Sequence, residues 1–360
     1  MSERMLRQFM EMVQIDSESG NEERFMRTLL GEVEKIGGSA AFDDYGNLIA
    51  TFDAVGCEGV EPILLSCHGD TVKPGVGIEP VLANGVVRSK GDTILGADDK
   101  AGIAEVLEAL RVAQVRPPIE FAVSRQEEVG LLGVKAMDFS RLSARRGFLM
   151  DNDTLETIVI GGPTYFAIDV EVGGRSAHAG MEPEKGINAI RAAALGISAL
   201  RLGRIDHETT ANVGVISGGI IRNGVPDACS FLAECRSADH QKAVNLAEET
   251  TSILRHEIEG AGATVDIVVD EKCRAVQIPE DAWSVGIAKQ ALASVGIDAQ
   301  AVFMTGFTDA SIYNNRGIEM AVIGIGAQNE HSTDECIDVA DMEKAVKVLV
   351  EIFRLVASES

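Results

Sequence analysis

The stretch Pro62–Asp70, PILLSCHGD, joins an apolar run to two potential metal ligands, His68 and Asp70. A short apolar run of this kind is typical of a buried strand. The Ala-rich segment Lys100–Val115 that follows is apolar on one face and predicts a helix, and Ile119–Ser124 predicts a second strand. Strands that alternate with helices in this way favour a mostly parallel sheet flanked by helices.

Further apolar runs also end in potential ligands. Their polar neighbours are Glu127 and Glu128 after Ile119–Ser124, Asp151 after Gly147–Met150, His331 after Met320–Ile325, and the pair Asp98–Asp99 before the Lys100 helix. A single acidic residue after a strand is usually an ordinary loop or capping residue without a functional role. Five such clusters, two of which contain histidine, are harder to dismiss. Sites in open α/β sheets form at the carboxyl ends of the strands, so we expect these side chains to converge there.

The pattern of elements changes near residue 164. Alternating apolar residues in Phe166–Val172 predict a strand, and the following segments complete the order βαββαβ, which is typical of a ferredoxin-like unit. The α/β pattern resumes after Glu280. We therefore predict a discontinuous catalytic domain, residues 1–163 and 274–360, with a smaller α+β domain of residues 164–273 inserted into it.

The composition excludes several classes of partner. The 360 residues are 46% hydrophobic, which favours well-packed domains, and the formal net charge is −24. Such acidity argues against nucleic acid and against an anionic membrane surface. The first residues lack the pattern of a secretory signal, and the six cysteines are scattered without a CxxC pair. We therefore expect a cytoplasmic protein.

Five ordered strings resemble a known family. They are HGDT at 68–71, GADDKAG at 96–102, EEVGLLG at 127–133, RSAHAG at 175–180 and EHSTDE at 330–335. Together they are similar to the metallopeptidases that include peptidase T, carboxypeptidase G and aminoacylase, and most similar to the shorter peptidase T-like proteins. The resemblance implies a zinc-exopeptidase-like catalytic domain with an inserted dimerisation domain.

The resemblance also implies two zinc ions per subunit, with cobalt or manganese as possible substitutes. Asp98 would bridge the two ions. His68 and Asp151 would complete one site, and Glu128 and His331 would complete the other. Two ions, three carboxylates and a hydroxide sum to a neutral centre when both histidines are neutral, as metal ligation requires.

Further roles follow from the resemblance. Glu127 would be the general base, and Asp70 would orient the imidazole of His68. The peptide bond between Asp98 and Asp99 would be cis. His178, in the inserted domain, would reach the active site of the partner in a homodimer and stabilise the oxyanion.

Two more residues of the inserted domain match positions that the family uses for substrate. Arg236 and Asn223 would hold polar groups of the substrate, often a carboxylate. A surface arginine on a strand and a surface histidine in a loop remain plain alternatives for Arg236 and His178. Phe307 stands where relatives usually carry a glycine, and would narrow the pocket if its loop lines it.

These features lead to a dinuclear zinc exopeptidase that acts on di- or tripeptides. An amidohydrolase that deacylates N-acyl amino acids with the same metals is the alternative among enzymes. A catalytically silent dimeric binding protein is a third hypothesis, which the filled family positions disfavour.

Overall fold

The computed structural model describes residues 2–359 of the chain. The tertiary contacts divide the chain into two compact units, one built from Met1–Gly161 and Gln277–Ser360 and the other from Gly162–Val276. Each unit has its own cluster of buried apolar side chains. We describe the two units separately.

The strands, numbered in chain order, are β1 (Ser39–Phe42), β2 (Leu48–Phe52), β3 (Ile63–His68), β4 (Pro80–Ala83), β5 (Val86–Ser89), β6 (Ile119–Ser124), β7 (Arg146–Asn152), β8 (Thr157–Gly162), β9 (Thr164–Gly173), β10 (Ala177–His178), β11 (Gly203–Arg204), β12 (Thr209–Gly218), β13 (Gly224–Val225), β14 (Ala228–Ser237), β15 (Thr264–Cys273), β16 (Val276–Gln277), β17 (Gln300–Phe303), β18 (Glu319–Gly324), β19 (Ala327–Gln328) and β20 (Cys336–Asp338).

The helices are α1 (Ser2–Val13), α2 (Glu23–Lys35), α3 (Ala97–Val112), α4 (Leu132–Ala136), α5 (Ala189–Ala199), α6 (His240–Gly260), α7 (Trp283–Ser294), α8 (Ala310–Asn315) and α9 (Val339–Ala357), with short 3₁₀ turns at Phe139–Arg141 and Pro183–Lys185. Within the described residues 2–359, none of these helices combines the length and apolarity that crossing a membrane requires.

The larger unit is built on a mixed sheet in the order β1-β2-β6-β3-β7-β18-β8-β16, with β17 beside β8. The central strands β6, β3, β7 and β18 run parallel to one another. Strands β3 and β6 are buried along their whole length, as expected for parallel strands covered on both faces. The prediction of a mostly parallel sheet flanked by helices is confirmed.

Helix α3 lies at the centre of the larger unit. Its residues Ala97 to Leu110 are all buried, and it packs against β3, β7, α1 and α9. Small residues in the sequence ADDKAGIAEVLEALRV allow this close approach from several sides. Gly102 is one of them, because a Cβ there would meet Oδ1 of Asp99 at 2.2 Å and the carbonyl oxygen of Met150 at 2.7 Å.

The smaller unit has the predicted βαββαβ order, formed by β9, α5, β12, β14, α6 and β15. Its antiparallel sheet runs β11-β12-β14-β9-β15, and α5 and α6 pack on one another and on this sheet. Phe166, Ile168, Val170 and Val172 of β9 are buried, and they alternate with more exposed residues. The ferredoxin-like prediction is therefore confirmed for this unit.

Candidate metal centre and active site

The larger unit brings together the five side chains that were predicted to be metal ligands. His68 is the last residue of β3, Asp98 lies in the first turn of α3, and Asp151 lies near the end of β7. Glu128 follows β6, and His331 lies in the loop between β19 and β20. Parallel strands that end at one edge of the sheet produce this convergence from distant parts of the chain.

Asp98 lies between the two histidines. Its Oδ1 atom is 3.0 Å from Nε2 of His68, and its Oδ2 atom is 3.2 Å from Nε2 of His331. Each carboxylate oxygen therefore faces a different imidazole. Glu128 Oε1 lies 3.0 Å from Nε2 of His331, and Asp151 Oδ1 lies 3.6 Å from Nε2 of His68.

The chemistry of these donors fits metal ions. The ligand atoms of His68, Asp98 and Glu128 lie within 4.8 Å of one another, and so do those of His68, Asp99 and Asp151. In the described part of the chain, Oδ2 of Asp151 is buried without a hydrogen-bond partner. Imidazole nitrogens and carboxylate oxygens therefore converge on one space, and one carboxylate oxygen of Asp151 is available as a ligand. This is the donor set expected for zinc or a similar divalent ion.

The electrostatics of the protein alone show how much negative charge is concentrated here. Burial raises the pKa of Asp151 to about 6. Burial also acts to raise the pKa of Asp98, but hydrogen bonds from His331 and His68 outweigh it and lower that pKa. Hydrogen bonds to Asp98 and Glu128 raise the pKa of His331 to about 10. A positive charge at this place, whether a proton or a metal ion, is therefore strongly favoured.

Asp70 contacts both His68 and the turn that carries the two glutamates. Its Oδ1 atom lies 3.5 Å from Nδ1 of His68 and accepts a hydrogen bond from the backbone N–H of Glu127 at 2.9 Å. Its Oδ2 atom accepts from the backbone N–H of Glu128 at 3.2 Å and from the hydroxyl of Ser19 at 2.7 Å. The carboxylate of Asp70 thus links a histidine to the glutamate pair.

Glu127 is buried beside the centre, with 7% of its surface exposed. Burial and then the charge of Asp151 raise the pKa of its carboxyl group. Among residues 2–359, Glu127 belongs to none of the groups of three candidate ligands, whereas Glu128 does. The two adjacent glutamates therefore occupy different environments.

The peptide bond between Asp98 and Asp99 is cis, as the resemblance implies.

The structure adds two carboxylates that sequence reasoning missed. Glu335 is buried and accepts hydrogen bonds from four consecutive backbone N–H groups, those of residues 95–98, at 2.7–3.1 Å. Asp309 is fully buried and accepts a hydrogen bond from Ser124, at the end of β6. Glu335 is the last residue of the string EHSTDE, so that string could have indicated a role for Glu335 beside the centre.

The remaining nominated residues lie in the smaller unit. His178 is exposed, and its Nδ1 atom accepts hydrogen bonds from the backbone N–H groups of Gly180 and Met181 at 3.2 and 3.1 Å. Asn223 lies beside it, because the carbonyl oxygen of Asn223 accepts from the N–H of Ala179 at 3.0 Å.

Arg236, on β14, has a different environment. Its guanidinium forms an ion pair with Glu234 at 2.9 Å and lies 4.5 Å from the ring centre of Tyr165. The structure therefore brings His178 and Asn223 together at the short antiparallel pair of β10 and β13, and it gives Arg236 partners within its own sheet.

A mixed α/β sheet that gathers two histidines and several carboxylates at the ends of its central strands defines a metal-dependent hydrolase. Comparison with known proteins agrees with this class. Residues 164–261 match the profile of the M20 peptidase dimerisation domain, and residues 47–177 match that of peptidase family M28.

Full-length similarities are more specific. The chain is 34% identical to protein YqjE of Bacillus subtilis, with 97% of both chains covered. It is 35% identical to the crystal structure of aminopeptidase PepT from Bacillus cereus, with a TM-score of 0.88, and 32% identical to that of a tripeptidase from Staphylococcus aureus, with a TM-score of 0.93; each match covers 99% of both chains. The chain belongs to the peptidase T-like group of M20 metallopeptidases, and it is a metal-dependent exopeptidase.

Proposed function

We propose that the protein is a dinuclear zinc aminopeptidase that acts on small peptides such as tripeptides. The observation that carries the proposal is the placement of Asp98, whose two oxygens face two different histidines at 3.0 and 3.2 Å. A carboxylate in this arrangement suits a bridge between two ions. Similarity to an aminopeptidase and to a tripeptidase over 99% of both chains supports the substrate class.

Five side chains would hold the ions. His68, Asp98 and Asp151 would form one site, and Asp98, Glu128 and His331 would form the other, with cobalt or manganese as possible substitutes for zinc. Bound zinc ions would supply Lewis acidity that polarises the scissile carbonyl and lowers the pKa of a coordinated water. Five protein ligands around two ions leave positions open, as in catalytic rather than structural sites.

Glu127 would move the proton. Its carboxylate lies buried next to the ligands without being one of them, so it can accept a proton from the attacking water and deliver it to the leaving amine. Asp70 would keep the His68 imidazole and the Glu127 backbone in place.

An N-acyl-amino-acid amidohydrolase with the same residues is the alternative. The two activities differ in whether the pocket recognises a free amino terminus. The aminopeptidase and the tripeptidase described above are each more than 30% identical to this chain, and both are peptidases, so we favour the peptidase. A catalytically silent binding protein would not need the complete set of ligands together with a separate buried glutamate.

We further propose a homodimer in which His178 stabilises the oxyanion in the site of the partner and Asn223 contacts the substrate. The match of residues 164–261 to a peptidase dimerisation domain and the exposed position of His178 support this. Arg236 can serve the substrate only if a substrate carboxylate competes with Glu234 for its guanidinium. The six free cysteines suit a cytoplasmic location.

Metal analysis and a substrate panel test the central claim. The active protein should contain about two divalent ions per chain and cleave tripeptides with a free amino terminus faster than N-acylated ones. Glu127→Gln should retain both ions and turn over at least about 100-fold more slowly. Full activity after removal of metal, or loss of metal in Glu127→Gln, would contradict these assignments.

Mixed dimers test the shared site. Glu127→Ala and His178→Ala should each be nearly inactive as homodimers. When the two variants are co-expressed, each heterodimer should contain one intact site, so activity should return. If purified heterodimers are as inactive as both parents, His178 does not act in trans.

A further inference from the structure

The turn of residues Arg125–Glu128, which we call the glutamate turn, carries Glu127 and Glu128 away from the end of β6. Each of its four residues is held by a hydrogen bond from elsewhere in the chain. Asp70 accepts the backbone N–H groups of Glu127 and Glu128, as described above. The other two residues, Arg125 and Gln126, are held by Glu22, Asn47 and Tyr45, which belong to none of the five sequence strings.

Arg125 is the first of these anchored residues. Its Nε and Nη2 atoms donate to Oε2 of Glu22 at 3.1 and 2.8 Å. The Glu22 side chain is completely buried, and its Oε1 atom accepts from the backbone N–H of Gly20 at 2.6 Å. The backbone N–H of Arg125 donates to Oδ1 of Asn47 at 3.1 Å. Both the side chain and the backbone of Arg125 are therefore fixed.

Gln126 is the second. Its φ angle is +53°, in the left-handed region that residues other than glycine seldom adopt. The hydroxyl of Tyr45 donates to Oε1 of Gln126. A backbone in this conformation persists where its surroundings enforce it. The contacts at Arg125 and at Glu127 fix the backbone on both sides of Gln126, and they therefore constrain the direction of the Glu127 side chain.

We propose that Glu22 and Arg125 are positioning residues that set the direction of the Glu127 carboxylate. This inference rests on the proposed role of Glu127 as general base. A base acts only within hydrogen-bond reach of the proton it takes, and a displacement of about 1 Å can cost about 100-fold in rate. Removing one partner of a buried pair leaves the other without compensation, so the turn should relax when the pair is broken.

The neighbouring pair provides a matched control. Glu23 and Arg27 form an ion pair of the same chemistry at 2.7 Å, but both side chains are more than 70% exposed. We expect Glu22→Gln to lower kcat by about 10- to 100-fold, while KM and metal content stay near those of the wild type. Glu23→Gln should leave all three unchanged. Arg125→Lys, which keeps the charge but loses the two-pronged contact, should give an intermediate kcat.

Coupling to Glu127 separates positioning from a general loss of structure. In a Glu127→Gln background the base is already absent, so Glu22→Gln should lower the residual kcat by less than about twofold. If the two losses multiply instead, or if Glu22→Gln loses metal, the positioning role is wrong. If Glu22→Gln does not yield folded protein, the same double-mutant comparison is made with Arg125→Lys and Glu127→Gln, and it tests the positioning role in the same way. The single variant Glu127→Gln is assayed first. If it is fully active, the proposed function itself is refuted.

Discussion

Replacing Glu335 by glutamine should weaken both the fold and the metal centre. One carboxylate oxygen of Glu335 accepts the N–H groups of residues 95 and 96, and the other accepts those of residues 97 and 98. A glutamine amide keeps one acceptor and turns its N–H₂ group toward the other two donors. Two hydrogen bonds to a charged acceptor are then lost, at about 1.5–3 kcal/mol each.

The expected loss is therefore about 3–6 kcal/mol in the free energy of unfolding of the metal-free protein, unless the segment of residues 95–98 opens locally at lower cost. Because Asp98 belongs to this segment, the metal affinity should also fall, by about 10- to 100-fold. Chemical denaturation and competition with a chelating dye measure the two effects. Asp334→Asn, at the exposed neighbouring position, should change the free energy of unfolding by less than about 0.5 kcal/mol. If Glu335→Gln matches this control in both assays, the four contacts do not hold the segment.

Three further predictions concern protons, backbone space and metal. Because the carboxylates raise the pKa of His331 to about 10, its contribution to the stability of the metal-free protein should be complete below about pH 6.5 and lost as the pH rises through 10; denaturation of the wild type and of His331→Asn across this range measures it. Gly133→Ala should destabilise the protein by at least about 1–3 kcal/mol, since its Cβ would lie 2.1 Å from a backbone oxygen. Gly286→Ala in α7, where a Cβ would meet no atom within 4 Å other than those of the adjoining helix backbone, should stabilise the protein by up to about 1 kcal/mol in thermal unfolding. Chelation should abolish peptidase activity and lower the melting temperature, and added zinc should restore both.

The sequence predicts the buried elements well because burial leaves a clear pattern. Strand β6 is found at the predicted residues, Ile119–Ser124, and the helix predicted over Lys100–Val115 is found as α3, Ala97–Val112, which begins and ends three residues earlier. The hairpin of β4 and β5 lies outside the predicted elements, since most of its residues face solvent and carry no regular apolar alternation. Strands on the surface lack the constraint that makes a pattern readable.

The candidate centre was predictable for a related reason. Three of its ligands, His68, Glu128 and Asp151, lie at or just after the ends of apolar strands, so their position in the fold can be inferred from local sequence. Glu335 and Glu22 could not be identified in this way. Their partners, the backbone of residues 95–98 and Arg125, are distant in the chain, and a buried carboxylate has no local signature that distinguishes it from a surface one. Such contacts become visible only in three dimensions.

The interrupted sheet of the larger unit has a consequence for biosynthesis. Strand β18, which pairs with both β7 and β8, is made long after them, because the whole of Gly162–Val276 is translated in between. At about 5–20 residues per second, the ribosome needs roughly 10–30 s to extend the chain from the end of β7 to the end of β18. The smaller unit, a single continuous segment, can fold during this interval, while the edge of β7 that later pairs with β18 remains without its partner strand. Aggregation of the nascent chain should therefore compete with folding mainly in this window, in which a chaperone would have its greatest effect.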